Sequence, residues 1–362
     1  MTLMDAVKEY LIQNLGLLLV LVAFAIILHF TVFLDRKMVR RSFALIIGVF
    51  ALSVIVFTEF YLEKRGLYLL PRTILMAVRY SATPILLAQI IYVLVKRMRL
   101  IIFAPALVLV VLDVISIFTP IVFGLTEAGE LIRGPLGYLP YIIAGIYCAT
   151  LIFLLIRQSN RRAVEIVPIV FLAVSFTLGL ILPFVLGKDF SGLFSTIIGV
   201  SLFVYFVFTI LDVAKKDPLT GLLNRQAYYA DVKANRKDIT ALVSVDMNGL
   251  KVLNDTQGHA AGDEAIKTLA NTLVKACKQK QAVFRIGGDE FLIVCRKLSL
   301  EEVKELVHSA YKDLDATPYS CSIGYSYDDS GTKPIQEMLK ESDEMLYEAK
   351  ALHYQEKAKE EK

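Results

Sequence analysis

Residues 282–295 read Ala-Val-Phe-Arg-Ile-Gly-Gly-Asp-Glu-Phe-Leu-Ile-Val-Cys, and this stretch sets the architecture of the C-terminal half. Two apolar runs, Ala282–Ile286 and Phe291–Cys295, flank the pair Gly287-Gly288. Apolar runs of this length around two glycines predict a pair of antiparallel strands joined by a tight turn.

The segments around this hairpin predict an α+β domain. Apolar alternation indicates strands, and apolar positions recurring every three to four residues indicate helices. The order β-α-β-β-α-β favours an antiparallel cyclase-palm or ferredoxin-like sheet with helices on its faces, to which a last helix is appended. The predicted helices are 224–237, 261–279, 300–314 and 335–353, and the further strands are 239–247 and 319–327.

Three carboxylates are predicted to converge at one edge of this sheet. Asp246 ends an apolar strand, and Asp289 and Glu290 follow the glycine turn. Acids brought together in this way raise each other's pKa unless a cation lies between them. Hard oxygen ligands suit Mg²⁺ or Mn²⁺ with bound phosphates, where the cation polarises a phosphoryl oxygen. Two glycines at the turn let the backbone approach a substrate closely.

The motifs of residues 217–353 resemble those of the GGDEF family, the diguanylate cyclases. Five segments agree with the family in order and spacing, which makes the resemblance specific. They are Asp217 to Arg225 (Asp-Pro-Leu-Thr-Gly-Leu-Leu-Asn-Arg), Asp246 to Asp263, Arg285 to Phe291 (Arg-Ile-Gly-Gly-Asp-Glu-Phe), Ser322-Ile323-Gly324, and Asp343 to Lys350.

The resemblance implies catalytic and metal-binding roles. Asp246 and Asp289 correspond to the metal-binding carboxylates, and the carbonyl of Met247 is an additional ligand of Mg²⁺ or Mn²⁺. Glu290 corresponds to the acid that assists deprotonation of the 3′-hydroxyl group of GTP. A second metal contact is the competing role for Glu290.

The resemblance also implies a substrate site. Asn254 and Asp263 match positions that read the guanine edge, where a carboxylate accepts hydrogen bonds from donors that adenine lacks. Asp263 would also suit the first turn of a helix for electrostatic reasons alone. Backbone amides of 248–251 are expected to hold phosphates. The remaining predicted substrate-site residues are Lys251, Lys350, His259, Gly287 and Gly288. The alternative for either lysine is a solvated side chain, and His259 is equally suited to holding the loop.

Three departures from the family pattern bear on activity. Asn248 and Leu250 stand where the family often has Asp and Phe, and neither is a direct metal ligand. His353-Tyr354-Gln355 replaces a Gly-Arg-Asn ending, which removes one arginine contact to the terminal phosphates. Residues 278–281 (Lys-Gln-Lys-Gln) replace an Arg-x-x-Asp product-inhibition motif. The sequence therefore predicts an active cyclase that lacks the high-affinity site for feedback by cyclic di-GMP.

The N-terminal half is a membrane domain by composition. The chain has a mean hydropathy of +0.58, and 56% of its residues are hydrophobic. A bilayer core of about 30 Å needs about 20 apolar residues per helical span. Seven runs qualify, which predicts an all-α seven-helix bundle over residues 1–213, a GGDEF domain over 214–353 and a polar tail over 354–362. The runs are 12–34, 42–62, 73–95, 100–122, 138–156, 164–187 and 192–213.

Basic residues predict the orientation of this domain. The segments on one side hold 12 Lys and Arg residues, and the alternate segments hold 6. Because the richer side faces the cytoplasm, the N-terminus is expected outside and the C-terminal domain in the cytoplasm of a bacterial inner or plasma membrane. Residues 217–362 hold 20 basic and 24 acidic residues, so the C-terminal half is slightly acidic. The net charge of +4 for the whole chain therefore comes from the membrane half and gives no indication of nucleic-acid binding. Four cysteines without paired spacing predict free thiols.

Charged residues inside the spans suggest a sensor site. Arg79 and Asp113 lie at similar predicted depths and are expected to be able to pair, and Glu59 lies nearer the outer surface. Together with the long outer loop 123–137, they define a predicted pocket for an extracytoplasmic small-molecule ligand. A buried structural ion pair in a plain membrane anchor is the alternative. Seven spans before a signalling domain loosely resemble bacterial seven-helix sensor modules.

The sequence thus predicts a membrane-bound homodimer in which two facing domains condense two GTP molecules into cyclic di-GMP. Two rivals remain. A catalytically silent module that binds GTP or docks a partner is less consistent with the full set of acidic residues. A cyclase that makes an adenine-containing dinucleotide is less consistent with Asp263.

Overall fold

The computed structural model describes residues 3–66, 69–95, 98–159, 163–185, 193–278 and 280–360. The chain divides into two compact units, Met1–Asp212 and Val213–Lys362. The predicted boundary at residue 213 lies next to this division. Each unit has its own hydrophobic core.

Helices make up most of the first unit. Six of them are long and apolar enough to cross a membrane within the described ranges. The helices are α1 (Leu3–Phe30), α2 (Arg36–Glu63), α3 (Leu69–Leu94), α4 (Ala104–Ile115), α5 (Leu139–Gln158), α6 (Ala163–Val185) and α7 (Leu193–Ala214). Large apolar side chains such as Ile47, Ile146 and Phe153 are more than half exposed, as expected of helices that face lipid.

The fourth predicted span is shorter than predicted. A 3₁₀ turn at Leu100–Phe103 leads into α4, which has 12 residues. The 16 residues together rise about 24 Å, less than the roughly 30 Å of a bilayer core. After α4 the chain turns back through backbone hydrogen bonds of Ile117 to Ile121, and the amide of Val122 donates to the Ser116 hydroxyl at 2.9 Å. Seven spans are therefore not confirmed, and the orientation stays a prediction.

Part of the charge pattern behind the orientation falls outside the described residues. Lys96, Arg97, Arg161, Arg162 and Lys188 belong to this group, as does Gln279 of the product-inhibition segment.

The predicted outer loop contains a two-stranded ribbon, β1 (Phe123–Leu125) and β2 (Leu131–Arg133), which the sequence reading missed. Val122 and Phe123 pack on Met76 and Ala77 of α3, and the Phe123 ring stacks on Tyr80 with 5.2 Å between centroids. A Cβ at Gly134 would lie 2.1 Å from the carbonyl oxygen of Pro120, so the fold there requires glycine. The ribbon is thus seated on the helices.

The second unit is a five-stranded sheet with helices on both faces. Its strand order is β3-β5-β6-β4-β7, and every pair is antiparallel except β3 with β5. The elements are β3 (Leu223–Asn224), α8 (Arg225–Ala234), β4 (Ile239–Met247), α9 (Leu250–Gln257), α10 (His259–Ala276), β5 (Gln281–Arg285), β6 (Glu290–Arg296), α11 (Leu300–Leu314), β7 (Cys321–Tyr327) and α12 (Ile335–Glu360).

The alternation of β4 assigns its side chains to the two faces. Ala241, Val243 and Val245 belong to the core shared with α10 and α11, whereas Leu242 belongs to the core shared with α8 and α12. Ser244 and Asp246 share the parity of Leu242, so they point towards α12. The strand therefore carries a polar stripe to the edge of the sheet where the acids gather.

The predicted antiparallel α+β architecture agrees with the structure. The helix 300–314 has the predicted bounds because Ser299 and Glu302 form a capping box. The helix α9 and the two-residue strand β3 were not predicted. Residues 354–360, expected to form a polar tail, instead continue α12 as far as Glu360.

Candidate active site

The acidic edge of the sheet is built by the end of β4 and the β5–β6 turn. Asp246 is directly opposite Glu290 in the strand register, and the amide of Met247 donates to the carbonyl oxygen of Asp289 at 3.1 Å. Asp246 is only 6% exposed, Asp289 is half-buried and Glu290 is exposed. The three predicted acids therefore lie at the same edge of the sheet, which opens to solvent.

The turn between β5 and β6 is held by Arg285. Its guanidinium donates to the carbonyl oxygen of Gly288 at 2.8 Å and to the Asp217 carboxylate at 2.8 Å. A Cβ at Gly287 would lie 2.4 Å from Glu290 Oε2, so the glycine leaves the space that this carboxylate occupies. The glycine pair thus shapes the turn and positions Glu290.

Asp217 anchors the start of the domain to this turn. Besides Arg285, its Oδ1 accepts from the amide of Thr220 at 2.8 Å and from the Thr220 hydroxyl at 2.7 Å. Burial alone would raise the pKa of Asp217, but the hydrogen bonds from Arg285 and Thr220 hold the pKa below its usual value. The resemblance supplied this motif without a role; its role here is structural.

Lys350 of α12 is the counterion of Asp246. Its Nζ lies 2.8 Å from Asp246 Oδ2, and its side chain is 34% exposed. Burial raises the pKa of Asp246 and the charge of Asp289 adds to this effect, while Lys350 opposes both. The sequence placed Lys350 among phosphate contacts, whereas the structure gives it a protein carboxylate.

The donor set of this edge fits a hard divalent cation. It offers two carboxylates and the carbonyl of Met247, and Asp246 already attracts one cationic group. Oxygen donors of this kind are those that Mg²⁺ prefers. Within the described residues, no three or more His, Cys, Asp and Glu side chains form a ready metal cluster. The remaining ligands would therefore come from backbone, water or substrate phosphates.

The two predicted guanine-reading residues lie side by side where α9 meets α10. A Cβ at Gly262 would be 2.0 Å from Asn254 Oδ1, so the Asn254 side chain rests directly on the backbone next to Asp263. Asp263 is exposed in the second turn of α10, and Lys251 and His259 are also exposed. Positive φ angles of 70° at Gly249 and 84° at Gly258 make the turns that bring these elements together.

The loop after β4 presents the start of α9. Gly249 offers no side-chain cap to α9, so the first amides of the helix are open to an acceptor. Asn248 is buried, and its Oδ1 accepts from the Ser322 hydroxyl at 3.0 Å. Its Nδ2 has no hydrogen-bond partner among the described residues.

The contacts of α12 were not predicted from the sequence. The Ser244 hydroxyl is 2.8 Å from that of Ser342 and donates to Asp343 Oδ1 at 2.8 Å. A Cβ at Gly324 would lie 2.2 Å from the Leu346 amide nitrogen and from the Ser342 carbonyl oxygen. The spacing 342, 346 and 350 places one residue per helical turn on the side of α12 that faces the sheet. This periodicity was the sequence signal that could have identified the sheet-facing side of α12.

The membrane-domain residues pair differently from the sequence expectation. Arg79 NH1 lies 2.8 Å from Glu59 Oε2, and Asp113 instead accepts from the Ser81 hydroxyl at 2.8 Å. The expected Arg79–Asp113 pair is replaced because α2 offers a carboxylate at the level of Arg79. Glu59 and Arg79 line one cavity, whereas Asp113 is not among its lining residues.

Residues 214–356 match the family model described as diguanylate cyclase, GGDEF domain. The diguanylate cyclase DgcM of Escherichia coli K12 is 32% identical over 149 residues, which cover 38% of this chain and 36% of that protein. An uncharacterised membrane protein of Staphylococcus haemolyticus is 29% identical over 155 residues, or 38% of this chain and 43% of that protein. The chain thus spans about a third to two fifths of the length of these relatives.

One solved structure extends the comparison. The coiled coil and GGDEF domain of DgcB from Caulobacter crescentus, in complex with c-di-GMP, is 20% identical and covers 44% of this chain and 93% of that one, with a TM-score of 0.42.

Proposed function

We propose that residues 214–356, a GGDEF domain by their family match, condense two GTP molecules into cyclic di-GMP and two pyrophosphates under the control of the membrane unit. The assignment to a GGDEF domain rests on the family match and on relatives named diguanylate cyclases. The reaction, its residues and its regulation are the proposal.

One observation carries the proposal. The strand register sets Asp246 opposite Glu290, and Asp289 stands beside them on a glycine turn. Carboxylates gathered at one edge repel one another, so packing alone does not account for three acids there. A site for a phosphate-bound cation explains the arrangement.

Binding is assigned to the α9–α10 junction. Asn254 and Asp263 would hold the guanine edge, and open amides at the start of α9 would hold phosphates. Asp246, Asp289 and the Met247 carbonyl would bind Mg²⁺ or Mn²⁺, which supplies charge stabilisation at the phosphoryl oxygens when bound. Lys350 would limit the charge on Asp246 and orient its carboxylate.

Glu290 is assigned the role of proton acceptor. It is exposed and its carboxylate folds back over Gly287, so it can accept the proton of the 3′-hydroxyl group. The 3′-oxygen then forms a bond to the α-phosphorus of the facing GTP, and the bond to pyrophosphate breaks. Two such transfers close the ring. Because each domain holds one GTP, two domains must face each other, which requires a homodimer.

Regulation is assigned to the membrane unit. Six helices of this unit are suited to a lipid environment. We place the GGDEF domain in the cytoplasm and the N-terminus outside, as the charge pattern favours. A small-molecule ligand on the outer side would change the alignment of two protomers through α7.

A silent GTP-binding module is the second candidate, and the Lys350–Asp246 pair favours it. An ammonium 2.8 Å from a metal-binding carboxylate competes with a cation for that oxygen. In this reading the domain binds GTP and signals without turnover.

The test is product analysis of the full chain in nanodiscs with GTP and Mg²⁺. We expect cyclic di-GMP from the parent protein and none from Asp289→Ala or Glu290→Gln. GTP binding by the same proteins is measured with a fluorescent, non-hydrolysable analogue.

Each outcome is decisive when binding and turnover are compared. A parent that is dimeric, binds GTP and makes no product at any protein concentration would support the silent module. If the Glu290→Gln variant makes cyclic di-GMP as fast as the parent does, the role of Glu290 as proton acceptor is overturned. The control is Glu264→Gln, an exposed acid on α10 beside Asp263.

A further inference from the structure

The membrane unit contains a cavity of about 620 Å³ that the proposed chemistry does not use. It lies among α2, α3, α5, α6 and α7, at the end of the unit that carries the β1–β2 ribbon. Its volume falls within the range of small-molecule sites in proteins.

The ribbon closes one side of this cavity. Gly129, in the connection between β1 and β2, accepts a hydrogen bond from Arg72 NH1 at 2.9 Å, and Ala128 to Leu131 form part of the wall. Tyr80, which stacks on Phe123 of the ribbon, also faces the cavity. The ribbon is therefore attached to the cavity wall through two residues of α3.

Two arginines of α3 line the cavity two helical turns apart. Arg79 lies 2.8 Å from Glu59, and Arg72 NH2 lies 3.6 Å from Glu63. The Arg72 side chain is only 4% exposed, and its Nε has no hydrogen-bond partner among the described residues. A buried guanidinium donor without an acceptor is costly, so this wall favours an added acceptor.

Much of the remaining lining is apolar or aromatic. It includes Phe60, Met76, Tyr141, Leu180 and Phe194. A ligand that fits this cavity therefore has an apolar body and one polar end. Within the cavity the Arg79 guanidinium also lies over the rings of Phe60 and Tyr80, at 5.3 and 5.1 Å from their centroids, which fixes its plane.

We propose that this cavity binds a small organic carboxylate with an aromatic or branched apolar body, whose carboxylate is received by Arg72 and Arg79. A planar guanidinium offers five donors and matches a carboxylate in a two-point contact. Glu59 and Glu63 each already face an arginine, whereas the buried Nε of Arg72 has no acceptor among the described residues. A carboxylate would supply an acceptor for this donor, which a protonated amine cannot do, so the site favours an anion over an amine.

The site stands independently of the cyclase reaction. Only its regulatory consequence rests on the proposed function: a ligand joined to both α3 and the ribbon would stabilise one arrangement of this end of the unit.

The test measures binding of three probes of similar shape and different charge. The full chain in nanodiscs is dialysed against radiolabelled phenylacetate, phenylacetamide or phenethylamine, with empty nanodiscs as the background. We expect saturable binding of phenylacetate at one site per protomer, at least tenfold tighter than that of the amide or the amine. Equal binding of all three probes, binding of the amine alone, or no saturable binding of phenylacetate would overturn the proposal.

Two variants locate the site. The double variant Glu59→Gln with Arg79→Gln removes the ion pair without leaving a buried charge unpaired, and we expect it to weaken phenylacetate binding at least tenfold. Thr83→Phe fills the cavity one turn below Arg79 and leaves every charge in place, and we expect it to abolish binding. Lys64→Gln, at an exposed pair with Glu9 away from the cavity, is the matched control and should bind normally.

Failure of binding and failure of catalysis remain distinguishable. Undiminished binding in a folded, dimeric Thr83→Phe protein would place the probe elsewhere and overturn the site, whatever the cyclase activity. A change in cyclic di-GMP production on adding phenylacetate, lost in Thr83→Phe, would additionally link the cavity to regulation. Binding without cyclase activity would leave this site standing and count against the proposed reaction alone.

Discussion

Lys350 of α12 lies 2.8 Å from Asp246 at the end of β4, so the last helix of the domain supplies the counterion of a buried acid. The same helix packs over β7 at Gly324 and joins β4 through Ser342 and Ser244. The position of α12 therefore controls both the stability of the sheet and the charge at the acidic edge.

Replacing Lys350 by Met should lower cyclic di-GMP production about tenfold or more, because a charge-assisted hydrogen bond to a buried carboxylate is worth about 1.5–3 kcal/mol. Lys350→Arg keeps the charge and should retain most of the activity. The measurement is the initial rate as a function of GTP concentration. Full activity in Lys350→Met would show that the pair has no part in turnover, and a gain in activity would identify Lys350 as a competitor of the cation.

Gly262→Ala should separate folding from nucleotide recognition. The new Cβ would collide with Asn254 Oδ1, which is the movable end of a side chain, so Asn254 swings away and α10 keeps its place. Since alanine is the better helix former, we expect the free energy of unfolding to be nearly unchanged or slightly higher. The KM for GTP should rise about tenfold, as expected for loss of one hydrogen bond of about 1.5 kcal/mol.

The control for this prediction is Ala260→Ser, an exposed position two residues earlier on α10. An unchanged KM in a folded Gly262→Ala protein would remove Asn254 from the substrate site. A protein that fails to fold would mean that Asn254 cannot leave its position.

Asp217 should make the stability of the second unit depend on pH. Its pKa is lower in the folded state, so its contacts with Arg285 and Thr220 stabilise the fold above the ordinary pKa of an aspartate, about 3.9. That contribution is lost as the pH falls through the folded-state pKa. Asp217→Asn should cost about 1–3 kcal/mol at pH 7, and this difference should shrink as the pH falls below 4.

The measurement is urea unfolding of a fragment that covers residues 213–362, followed by far-ultraviolet circular dichroism at several pH values. Asp255→Asn, an exposed acid on α9, is the control. A difference between Asp217→Asn and the parent that stays constant from pH 7 to pH 3 would contradict the assigned pKa direction.

The outline of the second unit followed from sequence because its local signals agree with one another. The glycine pair 287–288 between apolar runs fixed the hairpin, and the Ser299–Glu302 capping box fixed a helix end. The contact between Lys350 and Asp246 could not be read in the same way. It joins residues about a hundred positions apart, and an exposed-looking lysine late in a charged helix carries no local mark of its partner.

The membrane unit shows the same limit. Hydropathy identified six long helices, but the seventh predicted run, 100–122, forms a helix only as far as Ile115. The turn that follows is held by local backbone hydrogen bonds and by the amide of Val122, which donates to the Ser116 hydroxyl. Arg79 likewise pairs with Glu59 because of how α2 and α3 face each other, which the depth of each residue in its span did not reveal.

Gly324→Ala should destabilise the domain, in contrast to Gly262→Ala. The added Cβ would lie 2.2 Å from the backbone of Ser342 and of Leu346, and a helix backbone cannot swing aside as a side chain can. Overpacking of this kind costs about 1–3 kcal/mol, so urea unfolding of residues 213–362 should shift to lower urea. Because Lys350 lies one turn beyond Leu346, displacement of α12 should also lengthen the contact with Asp246 and lower turnover. Tyr325→Phe at the next position is the control, and a Gly324→Ala protein with parental stability and activity would refute the close packing of α12 on β7.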